Sequence, residues 1–137
     1  MRLNGQKYYF NDFVEACRVG KSKVFVFEDA KMDARKDFNL KTDDAILGFI
    51  GEGGLESPHF QNVEIWRNNP RPEIEVLIDS YGFYSHLLYG YVAFMRVPWM
   101  NRWVIKSLKK NDKPDPRNLA FAKLAELREK LSGGENG

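Results

Sequence analysis

The sequence predicts one α+β domain over residues 1–131, with helices near the N-terminus, a central antiparallel sheet of about four strands and a C-terminal helix. Three observations predict it. Apolar residues recur at helical spacing only toward the two ends, whereas residues 59–108 carry short β-branched and aromatic runs with a period near two. Brief turn signals separate those runs, and short connections join antiparallel neighbours. The 137 residues, 43% of them hydrophobic, can bury one core and are too few for two ordinary ones.

Asn11 is positioned to cap a first helix over Asp12–Val19, with Phe13, Val14 and Cys17 on one face and Gly20 as its stop. Val24-Phe25-Val26-Phe27 is too short for a helix and rich in strand formers, which makes it a buried strand. The charged segment Asp29–Lys36 follows as a short exposed helix. Thr42 then supplies a hydroxyl cap, Asp43 and Asp44 suit the positive end of the helix dipole, and Ala45, Ile46, Leu47, Phe49 and Ile50 give an apolar side. Gly51-Glu52-Gly53-Gly54 has the look of a phosphate-binding loop, but such loops precede a helix. Here the helix comes first, so the glycines are its stop.

The strands of the central sheet are His59–Trp66, Glu73–Tyr84, Tyr89–Val97 and Trp103–Leu108, the first two divided by the Asn68-Asn69-Pro70-Arg71-Pro72 turn. In the second, Asp79 is either a buried, partnered carboxylate or a charge on a sheet face. Asp115 caps the last helix, Pro116 takes its first position, and Leu119, Ala120, Leu124, Leu127 and Leu131 hold helical spacing. Ser132-Gly133-Gly134 ends it and leaves residues 132–137 as a flexible tail.

One cysteine excludes a disulfide framework, and Cys17, His59 and His86 cannot complete a four-ligand metal centre without carboxylates; no cofactor is expected. No window reaches the length of a membrane span and the N-terminus lacks a signal-peptide core, so the expected compartment is the cytoplasm, with no membrane partner. The net charge of +2 conceals an asymmetry, because residues 96–137 hold 10 basic and 5 acidic residues. Arg96, Arg102, Lys106, Lys109, Lys110, Lys113 and Arg117 are interleaved there with, or lie close to, Tyr89, Tyr91, Phe94, Trp99 and Trp103. Cations that neutralise phosphates beside rings that stack on bases suit single-stranded nucleic acid. The same residues also fit a hydrated loop beside ordinary sheet packing. His59 and His86 have no partner identifiable from spacing and are expected to be exposed or hydrogen-bonded, and Cys17, on a buried helix face, is a poor nucleophile.

The order of these pieces resembles the sheet half of the RelE superfamily of mRNA-cleaving toxins. The residues that carry it are the strand ending Trp66-Arg67-Asn68-Asn69-Pro70, the strand with Asp79-Ser80-Tyr81, Tyr91-Val92-Ala93-Phe94, and Trp103-Val104-Ile105-Lys106-Ser107-Leu108-Lys109-Lys110. Ser107-Leu108-Lys109 is similar to the closing strand of the MqsR family, and Lys109-Lys110-Asn111 before a Pro-rich turn and the Leu119-Ala120 helix to HigB and its phage relatives. The resemblance covers about residues 55–131 and implies metal-independent cleavage by attack of a ribose 2′-hydroxyl on the adjacent phosphate. It implies Tyr91, Lys109 and Arg67 as catalytic and Arg96, Arg102, Lys106, Lys110 and Trp103 as RNA-binding residues. The implied partners are mRNA, on or off the ribosome, and a cognate antitoxin. One family lysine falls near Gln61 or Asn62, which are neutral in this chain. Strict strand alternation places Lys109 with Trp103, Ile105 and Ser107, and Lys106 on the opposite side. The alternative is a non-catalytic phage- or plasmid-type inhibitor that binds a protein through an aromatic sheet face, which requires an apolar patch without convergent cations. A nucleic-acid-binding module without cleavage is a third reading.

Overall fold

The computed structural model describes residues 5–117, 124 and 126–131. The chain runs through α1 (Phe10–Val19), β1 (Val24–Val26), α2 (Glu28–Phe38), α3 (Asp43–Gly51), β2 (Glu56–Ile65), β3 (Leu77–Ser85), β4 (Leu88–Val97), a 3-10 turn (Pro98–Met100) and β5 (Arg102–Lys110). The α+β class stands. The sheet has five strands in the order β1-β5-β4-β3-β2 and is mixed, which corrects the four-stranded antiparallel expectation. β1 runs parallel to β5, with Val24 opposite Trp103 and Val26 opposite Ile105. Its ladder continues through Trp103 N–H to the Lys23 carbonyl at 2.8 Å and Phe27 N–H to the Ile105 carbonyl at 3.0 Å. A local hydrophobic run identifies such a strand but carries no signal for a partner nearly eighty residues away.

The helices cover one sheet face. Their main cluster joins Phe13, Cys17, Ala30, Ala34, Ile46, Leu47 and Ile50 to Tyr81, Phe83, Val92, Phe94, Ile105 and Leu108. At its centre Phe13 and Phe94, both fully buried, stack face to face with ring centroids 3.9 Å apart. α1 begins at Phe10, and Tyr9 gives no side-chain cap, so the expected Asn11 cap is corrected to a position inside the helix. What fixes the approach to α1 is Asp79 of β3, whose carboxylate accepts from Lys7 N at 2.9 Å and Tyr8 N at 2.8 Å. Thr42 caps α3 as expected, its Oγ1 accepting from Ala45 N at 3.0 Å. Gly51 ends that helix at a close approach, since a Cβ there would stand 2.8 Å from Arg18 Cα.

The second sheet face is divided. Trp66, Val76, Ile78, Ala93, Met95, Val97 and Val104 form a smaller apolar cluster under Trp99 and Met100 at one end. The segment after Trp66 stays loop until Leu77, because Asn69 organises it: Nδ2 donates to the Ile74 carbonyl at 2.7 Å and Oδ1 accepts from Arg71 N at 2.8 Å. The other end is polar and holds the candidate site. Beyond β5, Asp115 Oδ1 accepts from Arg117 N at 2.9 Å, and residues 116–117, 124 and 126–131 are helical. Leu119 and Ala120 of the expected helix, and the expected tail 132–137, lie outside the described residues. Among the described residues no helix is long and apolar enough to cross a membrane.

Candidate functional site

Four cross-strand neighbours set the site: His59 pairs with Gly82, Gly82 with Tyr91, and Tyr91 with Lys109. Neighbouring strands lie about 4.8 Å apart, so this row crosses β2 to β5 in roughly 14 Å. Directly paired residues share a face, and this one is the face away from α1, α2 and α3.

Two β-bulges add side chains to it. The β4–β5 register shifts between Ala93 opposite Ser107 and Phe94 opposite Ile105, which leaves Lys106 as the extra residue. The β2–β3 register shifts between Phe60 opposite Tyr81 and Asn62 opposite Ser80, which leaves Gln61 extra. A bulge resets the inside–outside alternation. Trp103, Ile105 and Leu108 therefore all face the helices, while Lys106 lines a concavity of about 290 Å³ together with Tyr91, Ser107, Lys109, Asn111, Asp112 and Lys113. The expected opposition of Lys106 and Lys109 is corrected by this one inserted residue.

Lys106 also lines an adjoining hollow of about 180 Å³ with Arg67, Glu64, Trp66 and Asn68. Tyr91, Lys109, Lys106 and Arg67 thus border two hollows that share Lys106. The other expected site residues lie elsewhere. Arg96 pairs with Trp103 on the helix-facing side, and its guanidinium donates to Asn101 Oδ1 at 2.8 Å. Arg102 occupies the far end of β5, roughly 20 Å along the strand from Lys109. Lys110 is exposed at the strand end, where its backbone N–H donates to Asp37 Oδ2 of α2 at 2.9 Å. Trp103 faces the helices, packed edge-on to Tyr8 with centroids 5.2 Å apart and half-buried against Phe13 and Phe94 at the edge of the main core.

The sequence pattern did not single out the polar chain that crosses the row. Asn111 Nδ2 donates to Gln61 Oε1 at 3.3 Å, Gln61 Nε2 donates to Tyr89 Oη at 3.2 Å, and Tyr89 Oη lies 2.7 Å from His59 Nε2. His59 Nδ1 lies 3.2 Å from the Ser57 carbonyl oxygen. Gly82 makes this assembly possible, because a Cβ there would fall 2.5 Å from His59 Nε2 and 2.6 Å from Tyr89 Oη. Burial, followed by the nearby Asp115 charge, pushes the Tyr89 phenol above its ordinary value, so its proton is held. Beside it, Tyr84 donates to Asp115 Oδ1 at 3.2 Å and carries the Arg117 guanidinium 3.7 Å above its ring.

Among the described residues no group of three His, Cys, Asp or Glu side chains is placed to hold a metal ion. No family model, curated protein or solved structure matches the chain.

Proposed function

We propose that this protein is a toxin-like endoribonuclease of the RelE type that cleaves mRNA without a metal, by attack of a ribose 2′-hydroxyl on the adjacent phosphate. The observation that carries the reading is the row of His59, Gly82, Tyr91 and Lys109 on the face away from α1, α2 and α3, to which a bulge adds Lys106. This chemistry needs a proton acceptor for the hydroxyl, cations for the pentavalent phosphorane and a proton donor for the leaving oxygen. Lys109 and Lys106 supply the cations, and Tyr91 lies between Lys109 and the hydrogen-bonded His59–Tyr89 pair. Arg67 extends the positive path beside Lys106, where the next phosphate of the strand would lie. On this reading the substrate is mRNA in the cytoplasm, on or off the ribosome, and a cognate antitoxin covers the same face.

The reading as a protein-binding inhibitor called for an apolar aromatic patch without cations. Against it, Trp103 faces the helices, Trp99 packs on Trp66 beneath Arg71, and Tyr91 has Lys109 over its ring. Purified protein incubated with a long single-stranded RNA tests the proposal. Fragments ending in 2′,3′-cyclic phosphate are expected, with losses of about 10²–10⁴-fold for Lys109→Ala and for Tyr91→Phe. Undiminished cleavage in both variants removes the site. No cleavage by the wild-type protein, free or with ribosomes, removes the endoribonuclease reading; salt-sensitive RNA binding without products then favours a nucleic-acid-binding module, and no RNA binding the inhibitor.

A further inference from the structure

We propose that Tyr89 and His59 form the proton-accepting pair of this site, with the Tyr89 hydroxyl meeting the ribose 2′-hydroxyl and His59 standing behind it as the base. The proposal rests on the endoribonuclease reading and assigns a task to two residues outside the row's cationic side.

Hydrogen-bond direction fixes the roles. A carbonyl oxygen only accepts, so the Ser57 carbonyl accepts a hydrogen bond from His59 Nδ1–H, and in the tautomer that carries this proton Nε2 presents a lone pair. Tyr89 donates to that lone pair across 2.7 Å. Gln61 Nε2 can only donate, so its bond ends on the Tyr89 oxygen, and Asn111 in turn donates to Gln61 Oε1. Every link from Asn111 to Ser57 therefore points the same way, and such a chain polarises toward His59.

The backbone supports the same assignment. Ser57 has φ +47, a left-handed conformation that a residue with a side chain adopts at a cost, and it lies two residues before the ring it orients. Gly82 leaves the space in which the imidazole and the phenol meet. Both rings are half-buried with nearly parallel planes, 7° apart with centroids at 5.6 Å, so their geometry is set before any ligand arrives.

In the step, the 2′-hydroxyl proton passes to the Tyr89 oxygen as the Tyr89 proton passes to His59 Nε2. The 2′-oxygen forms its bond to phosphorus, the bond from phosphorus to the 5′-oxygen breaks, and the Lys109 ammonium protonates the departing oxygen. The products are a 2′,3′-cyclic phosphate and a 5′-hydroxyl. His59 returns its proton to water and Lys109 regains one, so the protein ends unchanged.

Cleavage of a short RNA by the full chain, beside the same RNA with a single 2′-deoxy sugar at the scissile position, tests the assignment. His59→Ala is expected to lose about 10²–10⁴-fold and Tyr89→Phe about 10–10²-fold, with the double variant no slower than His59→Ala alone, because members of one proton path are not additive. Added imidazole is expected to restore part of the His59→Ala rate, which a structural role would not permit. Tyr89→Phe keeps the ring and reads the same relay if His59→Ala does not fold. Cleavage of the unmodified RNA by wild type with full rates in both variants, or with additive losses and no imidazole rescue, overturns the relay and leaves the endoribonuclease standing. Failure of wild type to cleave any RNA overturns both.

Discussion

Lys109 stands directly opposite Tyr91 in the β4–β5 ladder, its Nζ 5.7 Å from the centroid of the Tyr91 ring and 3.3 Å from Asp112 Oδ2. The ammonium is thus held over an aromatic face while its only ionic partner among the described residues is an exposed carboxylate. Such a pair contributes about 1 kcal/mol or less, so a phosphate can displace Asp112 without a large penalty. Asp112→Ala removes the competing anion. RNA affinity should rise by about two- to fivefold at low salt, and the gain should shrink as salt screens the exposed charge. Fluorescence anisotropy against a labelled RNA measures it, and equal affinities at low salt would mean that Lys109 does not meet phosphate.

The bulge at Lys106 makes a sharper distinction, between cations of one segment that lie on different faces. Lys106→Ala should weaken binding to all RNA sequences alike and lower the slope of log K against log salt by about 1, as expected for loss of one phosphate contact. Arg96→Ala should leave that slope unchanged, because Arg96 is tied to Asn101 on the helix-facing side. Equal slopes for the two variants would place the RNA elsewhere.

The same bulge shows what the sequence could and could not disclose. The Thr42 cap, the Asp115 cap and the glycine stop after α3 are local signals, set by capping chemistry, and the fold follows them. The facing of Lys106 was not legible, since a bulge breaks the alternation without any residue type that marks it. Nor was the partner of β1, because parallel pairing with β5 is decided by the whole intervening sheet. Tyr91 and Lys109 came from motif order and do meet across the ladder. His59 and Tyr89 are 30 residues apart, and only the β2–β3–β4 registers, with the room left at Gly82, bring them together.

Gly82 and Gly90 provide a matched pair for testing this. A Cβ at Gly82 meets the His59 ring and the Tyr89 hydroxyl, whereas one at Gly90 meets the ring of Phe83, which is fully buried. Gly90→Ala should destabilise the fold by about 1–3 kcal/mol, the usual cost of overpacking a core. Gly82→Ala should keep more of the stability yet lose RNA cleavage, because the residues it displaces belong to the site. Thermal unfolding read beside cleavage separates the two. Equal losses of stability with equal activities would remove the special role of Gly82.

Cys17 is buried in the helix-packed core, and burial pushes its thiol up to about 12. The neutral thiol is unreactive, so a maleimide or iodoacetamide should label the native protein at pH 8 only as fast as the protein unfolds. A raised folded-state value also has a sign for stability. The unfolded chain releases this proton near the ordinary thiol value, so the contribution is complete below that pH and is lost as pH rises from about 9 toward 12. Cys17→Ala should flatten that part of the alkaline stability profile. Rapid labelling of native protein would show that the thiol is accessible.

Asp79 is fully buried and receives two backbone N–H groups that precede α1, so a side chain of the central sheet fixes the path of the N-terminal segment. Asp79→Asn leaves one oxygen to accept from both N–H groups and turns an NH₂ group toward the Lys7 N–H, which loses one arm of its shared bond. The expected cost is about 1–3 kcal/mol, with faster hydrogen exchange at the Lys7 and Tyr8 amides than elsewhere in the sheet. Burial raises the Asp79 carboxyl above its ordinary value more than the two N–H donors and the Lys7 charge lower it. Its contribution to wild-type stability is therefore complete below the unfolded-state value and declines as pH rises through the folded one. Asparagine has no such slope, so the stability gap between wild type and variant should be wider near pH 3 than near pH 7. Urea unfolding at the two pH values measures it, and a gap that widens toward neutrality would mean that the N–H donors outweigh burial at Asp79.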